Sequence, residues 1–252
     1  MKLQTILLAC LLISLSGCSG CSRSGKESKR RQLTAQSEGL IPAARPDRIK
    51  PERGARNTPV TEVNNTSGLS SLYEKSKKGV FLVLSTNDGQ SGAQGSGFFI
   101  SADGIGISNQ HVFSGFHTHY IKMYDGTTYE VSKILRSSDA NDLDYVLFKV
   151  NTQGDKVPFV PIARSLSAIG EDVFAIGNPK GLEHTLSTGI VSSYRDDNKL
   201  IQTTAEITNG SSGGPLFNMR GEVIGITTSG VGEANLNFAV NIQRLNLTSK
   251  SL

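Results

Sequence analysis

Short apolar runs, each bounded by turn-forming residues, make up most of the chain from residue 69 onward. The runs are about four to eight residues long, which is the usual length of a strand, and Gly, Asp, Asn or Ser stands between them. Close spacing of such runs is typical of an all-β sandwich or barrel. Strands are predicted at residues 80–84, 95–100, 105–108, 120–124, 127–134, 145–150, 173–177, 184–191, 200–205, 222–228 and 237–240.

The predicted strands form two series, which indicates two small β-barrels within one folded domain at residues 69–252. The first barrel covers about residues 75–155 and the second about residues 160–245. One short helix, N-capped by a serine, is predicted before the first strand at residues 69–77.

The N-terminus combines a basic start with an apolar run at residues 6–15, which ends in Leu15-Ser16-Gly17-Cys18. An apolar run of about ten residues is too short to cross a bilayer, which needs roughly 20, and is typical of a secretory signal peptide. The last four residues resemble the bacterial lipobox, in which the cysteine is lipidated and becomes the mature N-terminus. We therefore predict a signal peptide at residues 1–17 and a membrane anchor at Cys18. Ser19 rather than Asp after the cysteine resembles the sorting signal of Gram-negative lipoproteins for the outer membrane. We therefore expect the protein to be anchored at the periplasmic face of that membrane. The alternative is an ordinary signal peptide with an incidental cysteine.

Residues 18–68 are predicted to form a disordered basic linker, because they are rich in Ser, Arg, Lys, Pro and Gly and contain no aromatic residue. Ten basic and four acidic side chains lie at residues 19–60, whereas fifteen basic and eighteen acidic ones follow residue 60. The folded part is therefore slightly acidic, which argues against a nucleic-acid partner despite the formal net charge of +4. The positive charge of the linker either rests on anionic lipid or is solvated.

All three cysteines, Cys10, Cys18 and Cys21, lie within the first 21 residues. The folded region therefore has no disulfide, no thiol nucleophile and no cysteine-based metal site, and Cys21 has no assigned function. His117 and His119 share a face of an extended segment and could form a metal pair, but no third ligand is evident. Neither a metal nor another cofactor is predicted.

The candidate chemistry centres on residues 209–215, a turn in which Ser211 and Ser212 stand between glycines. Runs of Gly and Ser are often flexible linkers. This one lies between two apolar stretches, an arrangement that can hold a nucleophile rigidly with its backbone N–H groups exposed. Two candidate partners occur earlier in the chain. His111 follows one predicted strand by three residues, and Asp144 directly precedes another.

Six segments, in the same order, resemble the trypsin-like serine proteases of the HtrA (Deg) kind. They are Ser-Asn-Gln-His-Val around His111, Asp-Tyr-Val-Leu-Phe-Lys-Val from Asp144, Gly-Ser-Ser-Gly-Gly-Pro-Leu-Phe-Asn from Gly210, and the stretches at residues 175–182, 187–192 and 236–240. The resemblance spans about residues 75–245. It implies two six-stranded β-barrels and an exported serine endopeptidase that hydrolyses unfolded or exposed polypeptide segments.

The resemblance assigns a role to each candidate. His111 would take the proton of the Ser212 hydroxyl, and Asp144 would hold the imidazole in the required tautomer. The N–H groups of Gly210 and Ser212 would bind the oxyanion. Asp144 is favoured as the carboxylate because it directly precedes the apolar run, and Asp142 is the alternative. Ser211 competes with Ser212, which the Gly-x-Ser-Gly-Gly frame favours.

The same resemblance gives a specificity pocket with its base at Glu206, six residues before the nucleophile, and a wall formed by Thr227, Thr228 and Ser229. A buried Glu206 would favour a basic substrate side chain. A solvent-facing Glu206 would leave a small apolar pocket, which is the prediction. Because the strand at residues 226–229 could pair with an extended chain, polypeptide is the expected partner.

The chain also departs from the family pattern. Only twelve residues follow Val240, so we expect none of the PDZ domains that are common in this family. Ser211 replaces the aspartate that digestive relatives use in zymogen activation, so no such switch is expected. Residues 19–68 lack the aromatic contacts found in trimeric members, which leaves the oligomeric state open. The rival hypothesis is a catalytically inactive protein that binds unfolded chains or serves as an envelope scaffold.

Overall fold

The computed structural model describes residues 65–138, 142–178, 184–228 and 236–247, which belong to one compact unit. The predicted signal peptide, Cys18 and nearly all of the predicted linker lie outside the described residues. Within the described ranges, no helix is long and apolar enough to cross a membrane.

The first barrel has six antiparallel strands: β1 (Val80–Thr86), β2 (Gly92–Phe99), β3 (Ile105–Ser108), β4 (Thr118–Met123), β5 (Thr128–Ser138) and β6 (Tyr145–Val150). The strands are ordered β1-β2-β3-β6-β5-β4, and pairing of β4 with β1 closes the barrel. Helix α1 (Asn65–Ser76) and a 3₁₀ helix (Lys77–Gly79) precede it, and the one-turn helix α2 (Gln110–Phe113) follows β3.

The second barrel repeats this plan with β7 (Asp172–Gly177), β8 (Thr185–Arg195), β9 (Leu200–Thr203), β10 (Pro215–Asn218), β11 (Val223–Thr227) and β12 (Asn237–Asn241). Its strands are ordered β10-β11-β12-β9-β8-β7, and β7 pairs with β10 to close it. A 3₁₀ helix (Ile242–Leu245) follows the last strand. The predicted all-β fold with two six-stranded barrels is confirmed.

Several predicted boundaries were wrong by a few residues. Helix α1 begins at Asn65, four residues before the predicted start, in a stretch whose polar residues give no apolar pattern. Strand β5 continues to Ser138 rather than residue 134, because backbone pairing with β6 extends it although most of its side chains are exposed. Helix α2 was not predicted, since a single turn is too short to show a helical period.

Strand β1 is buried along its whole length because its two faces meet two different cores. Phe81 and Val83 pack inside the first barrel, whereas Val80 belongs to a cluster shared by both barrels. Alternate residues of a strand point to opposite sides, which explains the uninterrupted apolar run. In the shared cluster, the rings of Phe174 and Phe217 are stacked with their centroids 4.8 Å apart.

A second contact joins the C-terminal 3₁₀ helix to the first barrel. Arg136 on β5 donates a hydrogen bond from Nη2 to the carbonyl of Leu245 at 2.5 Å. The guanidinium also lies over the ring of Tyr145, with Cζ 5.5 Å from the ring centroid. The two barrels are thus fixed against each other by an apolar cluster and by this arginine, which sets the relative position of residues that belong to different barrels.

Candidate active site

Helix α2 positions His111 just after β3. Val112 and Phe113 are buried, and the ring of Phe113 lies 5.1 Å from that of Phe148 in the core of the first barrel. Because these two side chains pack into the barrel, the side chain of His111 lies on the other side of the helical turn, and 46% of it is exposed. The imidazole is therefore held at the surface by a buried helix face.

Asp144 lies directly before β6 and receives hydrogen bonds from several elements. Its Oδ2 is 2.6 Å from His111 Nδ1, and its Oδ1 accepts a hydrogen bond from the His111 backbone N–H at 3.1 Å. Thr228 Oγ1 donates to Oδ2 at 3.4 Å. With Asp144 only 9% exposed, the carboxylate can fix the imidazole in the tautomer that carries its proton on Nδ1.

Asn109 supports this pair, a role that the sequence motifs did not predict. It is fully buried, and its Nδ2 donates to the backbone carbonyl of Asp144 at 2.6 Å. The alternative carboxylate, Asp142, lies apart. It is exposed, accepts a hydrogen bond from Ser138, and forms an ion pair with Lys199 at 3.1 Å that lowers its pKa.

The turn that carries Ser212 is held by main-chain hydrogen bonds from both barrels. The Ser96 N–H on β2 donates to the Ser212 carbonyl at 2.8 Å, and the Gly213 N–H donates to the Thr227 carbonyl at 2.7 Å. Gly210 and Gly213 have φ angles of +96° and +89°, which glycine adopts without steric cost. The turn is thus rigid, while Ser212 itself stays partly exposed.

The backbone donors needed for an oxyanion site are free within the described part of the chain. The N–H groups of Gly210 and Ser212 have no acceptor there, whereas those of Ser211, Gly213 and Gly214 are all bonded. Two unpaired N–H groups in one turn, one of them the N–H of the candidate nucleophile itself, can bind an anionic oxygen.

Helix α2 and the turn that carries Ser212 both lie against Gly95 on β2. A Cβ at Gly95 would lie 2.7 Å from Val112, the residue next to His111, and 3.0 Å from the Ser212 carbonyl. Among the described residues no hydrogen bond joins the Ser212 hydroxyl to His111. Such bonds are often long in sites without substrate and tighten when it binds.

Residues 95–226, slightly more than half of the 252-residue chain, match the trypsin-like peptidase domain. The chain belongs to this family.

The chain is similar to serine proteases of the HtrA and Deg type, as the sequence motifs predicted. The chain is 40% identical over 159 residues to serine protease HTRA1 of Xenopus tropicalis, covering 59% of this chain and 34% of that protein. It is 36% identical over 171 residues to the putative serine protease HhoA of Synechocystis, covering 63% and 43%. It is 38% identical over 160 residues to a probable periplasmic serine endoprotease of the DegP-like kind from Hahella chejuensis, covering 59% and 33%. The chain thus spans about a third to two fifths of the length of these relatives.

The trypsin-like peptidase fold is also found in a solved structure. The crystal structure of the serine endoprotease from Yersinia pestis superposes with a TM-score of 0.62 and 29% sequence identity, over 68% of this chain and 61% of that one.

Three of the four residues predicted to bind substrate lie in the described part of the chain, and each has different neighbours. Glu206 is exposed, and its carbonyl accepts a hydrogen bond from Ser187 Oγ at 2.9 Å. The Thr227 hydroxyl turns toward the nucleophile turn and donates to the Ser211 carbonyl at 2.7 Å. Thr228 contacts Asp144, and Ser229 lies outside the described residues. Thr227 and Thr228 thus support the site from behind through their side chains.

A cavity of about 140 Å³ lies behind the turn, lined by Gly177, Leu186, Ser187, Glu206, Thr208 and Ser211 among others. Neither Ser212 nor His111 lines it.

Of the two remaining candidate metal ligands, His117 is exposed. His119 is buried, with Nδ1 2.8 Å from Ser85 Oγ and its ring against Phe113. Burial, with a smaller contribution from His117, lowers the pKa of His119. Across the described residues, no group of three or more His, Cys, Asp or Glu could hold a metal ion.

Proposed function

We propose that this trypsin-like peptidase domain is a serine endopeptidase that hydrolyses peptide bonds with His111, Asp144 and Ser212. The observation that carries the proposal is the 2.6 Å contact between His111 and a buried Asp144, beside a rigid turn that leaves Ser212 partly exposed. The names of the HtrA and DegP-like relatives support the same reaction.

In the proposed reaction, His111 takes the proton of the Ser212 hydroxyl as Oγ attacks the substrate carbonyl, and it later gives that proton to the leaving amine. Asp144 stays ionised and stabilises the imidazolium. Water then attacks the acyl-enzyme with His111 again acting as the base, which releases the second product and restores Ser212.

The N–H groups of Gly210 and Ser212 stabilise the oxyanion of each tetrahedral intermediate. One such donor lowers the barrier by about 2.7–4 kcal/mol. The turn therefore contributes to catalysis through its backbone as well as through the Ser212 side chain.

A fluorophosphonate probe tests the nucleophile. The purified domain should be labelled and should cleave casein, and both properties should disappear in Ser212→Ala. Ser211→Ala is the matched control, because it removes the neighbouring hydroxyl and should still be labelled. If the wild-type domain is neither labelled nor active on casein, the proposal is wrong and a binding or scaffold function takes its place.

The carboxylate is tested by a second matched pair. Asp144→Asn should lower kcat on casein by about 10⁴-fold, because the imidazole loses its oriented tautomer. Asp142→Asn should keep wild-type kcat, because Asp142 contacts Ser138 and Lys199 instead of the imidazole. Equal effects of the two variants would contradict the assignment of Asp144.

For the substrate, we propose unfolded or exposed polypeptide with a small apolar side chain before the cleaved bond. The exposure of Glu206 supports this, since a solvated carboxylate would hold a basic side chain only weakly. Cleavage sites mapped by mass spectrometry in casein should fall mainly after Ala, Val or Ile. A predominance of Lys and Arg would overturn the preference.

We further propose that residues 1–17 are a signal peptide, that Cys18 carries a lipid anchor, and that the linker leads to a peptidase domain starting near residue 65. The word "periplasmic" in the names of DegP-like relatives supports export to the cell envelope. Labelled palmitate should be incorporated into the wild type and into Cys21→Ser, but not into Cys18→Ser. Incorporation into Cys18→Ser would rule out this anchor. Separation of the inner and outer membranes would then show which of them holds the protein.

A further inference from the structure

The Gly210 carbonyl, which precedes the two serines of the turn, is held by a side chain from the other barrel. Ser96 Oγ donates to it at 2.8 Å. The backbone N–H of the same Ser96 holds the Ser212 carbonyl at 2.8 Å. Ser96 is fully buried, and it thus fixes the turn on both sides of Ser211.

Asn178 determines where the Ser96 hydroxyl sends its proton. The backbone N–H of Asn178 donates to Ser96 Oγ at 2.9 Å, and Asn178 Nδ2 donates to the same oxygen at 3.2 Å. A serine hydroxyl has two acceptor positions and one donor. Since Asn178 occupies both acceptor positions, the only remaining hydrogen bond is the one donated to Gly210.

Asn178 is itself held in place from three directions. It is fully buried, and its Nδ2 also donates to the Phe81 carbonyl at 3.0 Å. Its Oδ1 accepts from the His184 N–H at 3.0 Å. The carbonyl of His184 in turn accepts from the Tyr73 hydroxyl of α1 at 2.7 Å. All hydrogen-bonding atoms of the Asn178 amide that face Ser96 and His184 are therefore used, and the side chain has one orientation.

We propose that Ser96 and Asn178 are positioning residues that hold the Gly210–Ser211 peptide, and with it the Cα from which the Gly210 N–H extends toward the oxyanion. This inference rests on the proposed serine peptidase function. Glycine at φ +96° has no side chain to restrict its rotation, so its backbone can turn the N–H away at little steric cost. The hydrogen bond from Ser96 fixes the carbonyl side of Gly210, so that the direction of its N–H can change only by rotation of the Asn209–Gly210 peptide.

Ser96→Ala tests the inference because it removes the donor to Gly210 and keeps the backbone N–H that holds Ser212. Loss of one oxyanion donor costs about 10²–10³-fold in kcat, so a misaimed donor should cost about ten- to hundredfold. The KM for a quenched fluorescent casein should change less than twofold, because ground-state binding is untouched. The rate of fluorophosphonate labelling should fall by the same factor as kcat.

Asn178→Asp gives an independent test that retains the size of the side chain. The carboxylate still accepts from the His184 N–H, but it replaces the Nδ2 donor with an acceptor, which draws the Ser96 proton away from Gly210. It should lower kcat in the same range with an unchanged KM. If Ser96→Ala proves too unstable to assay, Asn178→Asp decides the question.

Thr203→Val is the matched control. Thr203 is also buried, and its hydroxyl donates to the Ile190 carbonyl at 2.8 Å and accepts from the Ala205 N–H at 3.1 Å, without touching the turn. It should lose stability as Ser96→Ala does and keep wild-type kcat per folded molecule. If the wild type is inactive, the proposed function fails. If it is active and Ser96→Ala and Asn178→Asp match Thr203→Val in kcat, the positioning role is refuted.

Discussion

Replacement of Gly213 by alanine should destabilise the domain strongly, because the new methyl group would enter the contact between the two barrels. A Cβ at Gly213 would lie 2.2 Å from the Ser96 carbonyl oxygen and 2.3 Å from Ser108 Oγ. Both partners are buried on strands of the first barrel, so they cannot move aside easily. The φ angle of +89° adds the strain of a left-handed conformation, about 1–2 kcal/mol. Overpacking typically adds about 1–3 kcal/mol, which gives a total of about 2–5 kcal/mol.

Gly126→Ala separates these two contributions. Gly126 has a nearly identical φ of +87°, but a Cβ there would meet nothing within 4 Å. Its cost should therefore be the strain alone, about 1–2 kcal/mol. Equilibrium unfolding in urea measures both variants against the wild type, and casein hydrolysis should fall only in Gly213→Ala. Equal losses of stability in the two variants would refute the steric argument and leave φ as the only cause.

Two further predictions concern groups around α2. The pKa of His119 is lowered from 6.5 in the fold, so the unfolded chain binds a proton first as the pH falls. The free energy of unfolding in urea should therefore decrease from pH 7 toward pH 5, by at most about 1.4 kcal/mol per pH unit. The decrease should be smaller in His119→Asn. An equal decrease in that variant would exclude His119 as the source. Asn109→Ala should lower the free energy of unfolding in urea by about 1–3 kcal/mol, because it leaves the buried Asp144 carbonyl unpaired. It should also lower kcat on casein. An unchanged kcat would show that Asn109 does not position Asp144.

The repeated apolar runs predicted eleven of the twelve strands, because each run matches one strand of the two barrels. Strand β10 (Pro215–Asn218) was missed, since it has only four residues and directly follows the Gly-Ser turn. Strands β5 and β8 extend further than predicted, since their outer residues pair through the backbone and carry few buried side chains. His111 and Asp144 were selected because each stands beside a predicted strand. Those strands, β3 and β6, pair with each other, which brings the two side chains to within 2.6 Å.

The supporting contacts could not be predicted in the same way. Ser96 and Gly210 are 114 positions apart in the chain, and Asn178 is 82 positions from Ser96. No local pattern specifies such a contact, because it depends on how one barrel lies against the other. The available signal was a polar residue inside an otherwise apolar or glycine-rich strand end, where burial requires a hydrogen-bond partner. Exposure of Glu206 likewise depends on tertiary structure.

The hydrogen bond from Ser96 to the Ser212 carbonyl has a consequence for biosynthesis, because it crosses between halves of the chain that are made at different times. Synthesis proceeds from the N-terminus, and early domains fold first. The first barrel, with His111 and Asp144 in contact, is complete by Val150. The turn around Ser212 is fixed only when β11 is present to bind Gly213, and the second barrel closes only with β12. A nascent chain therefore carries the proposed base before the proposed nucleophile is in place. In the proposed mechanism the three residues are divided between two barrels, so peptide-bond cleavage has to wait until the strands of the second barrel have formed.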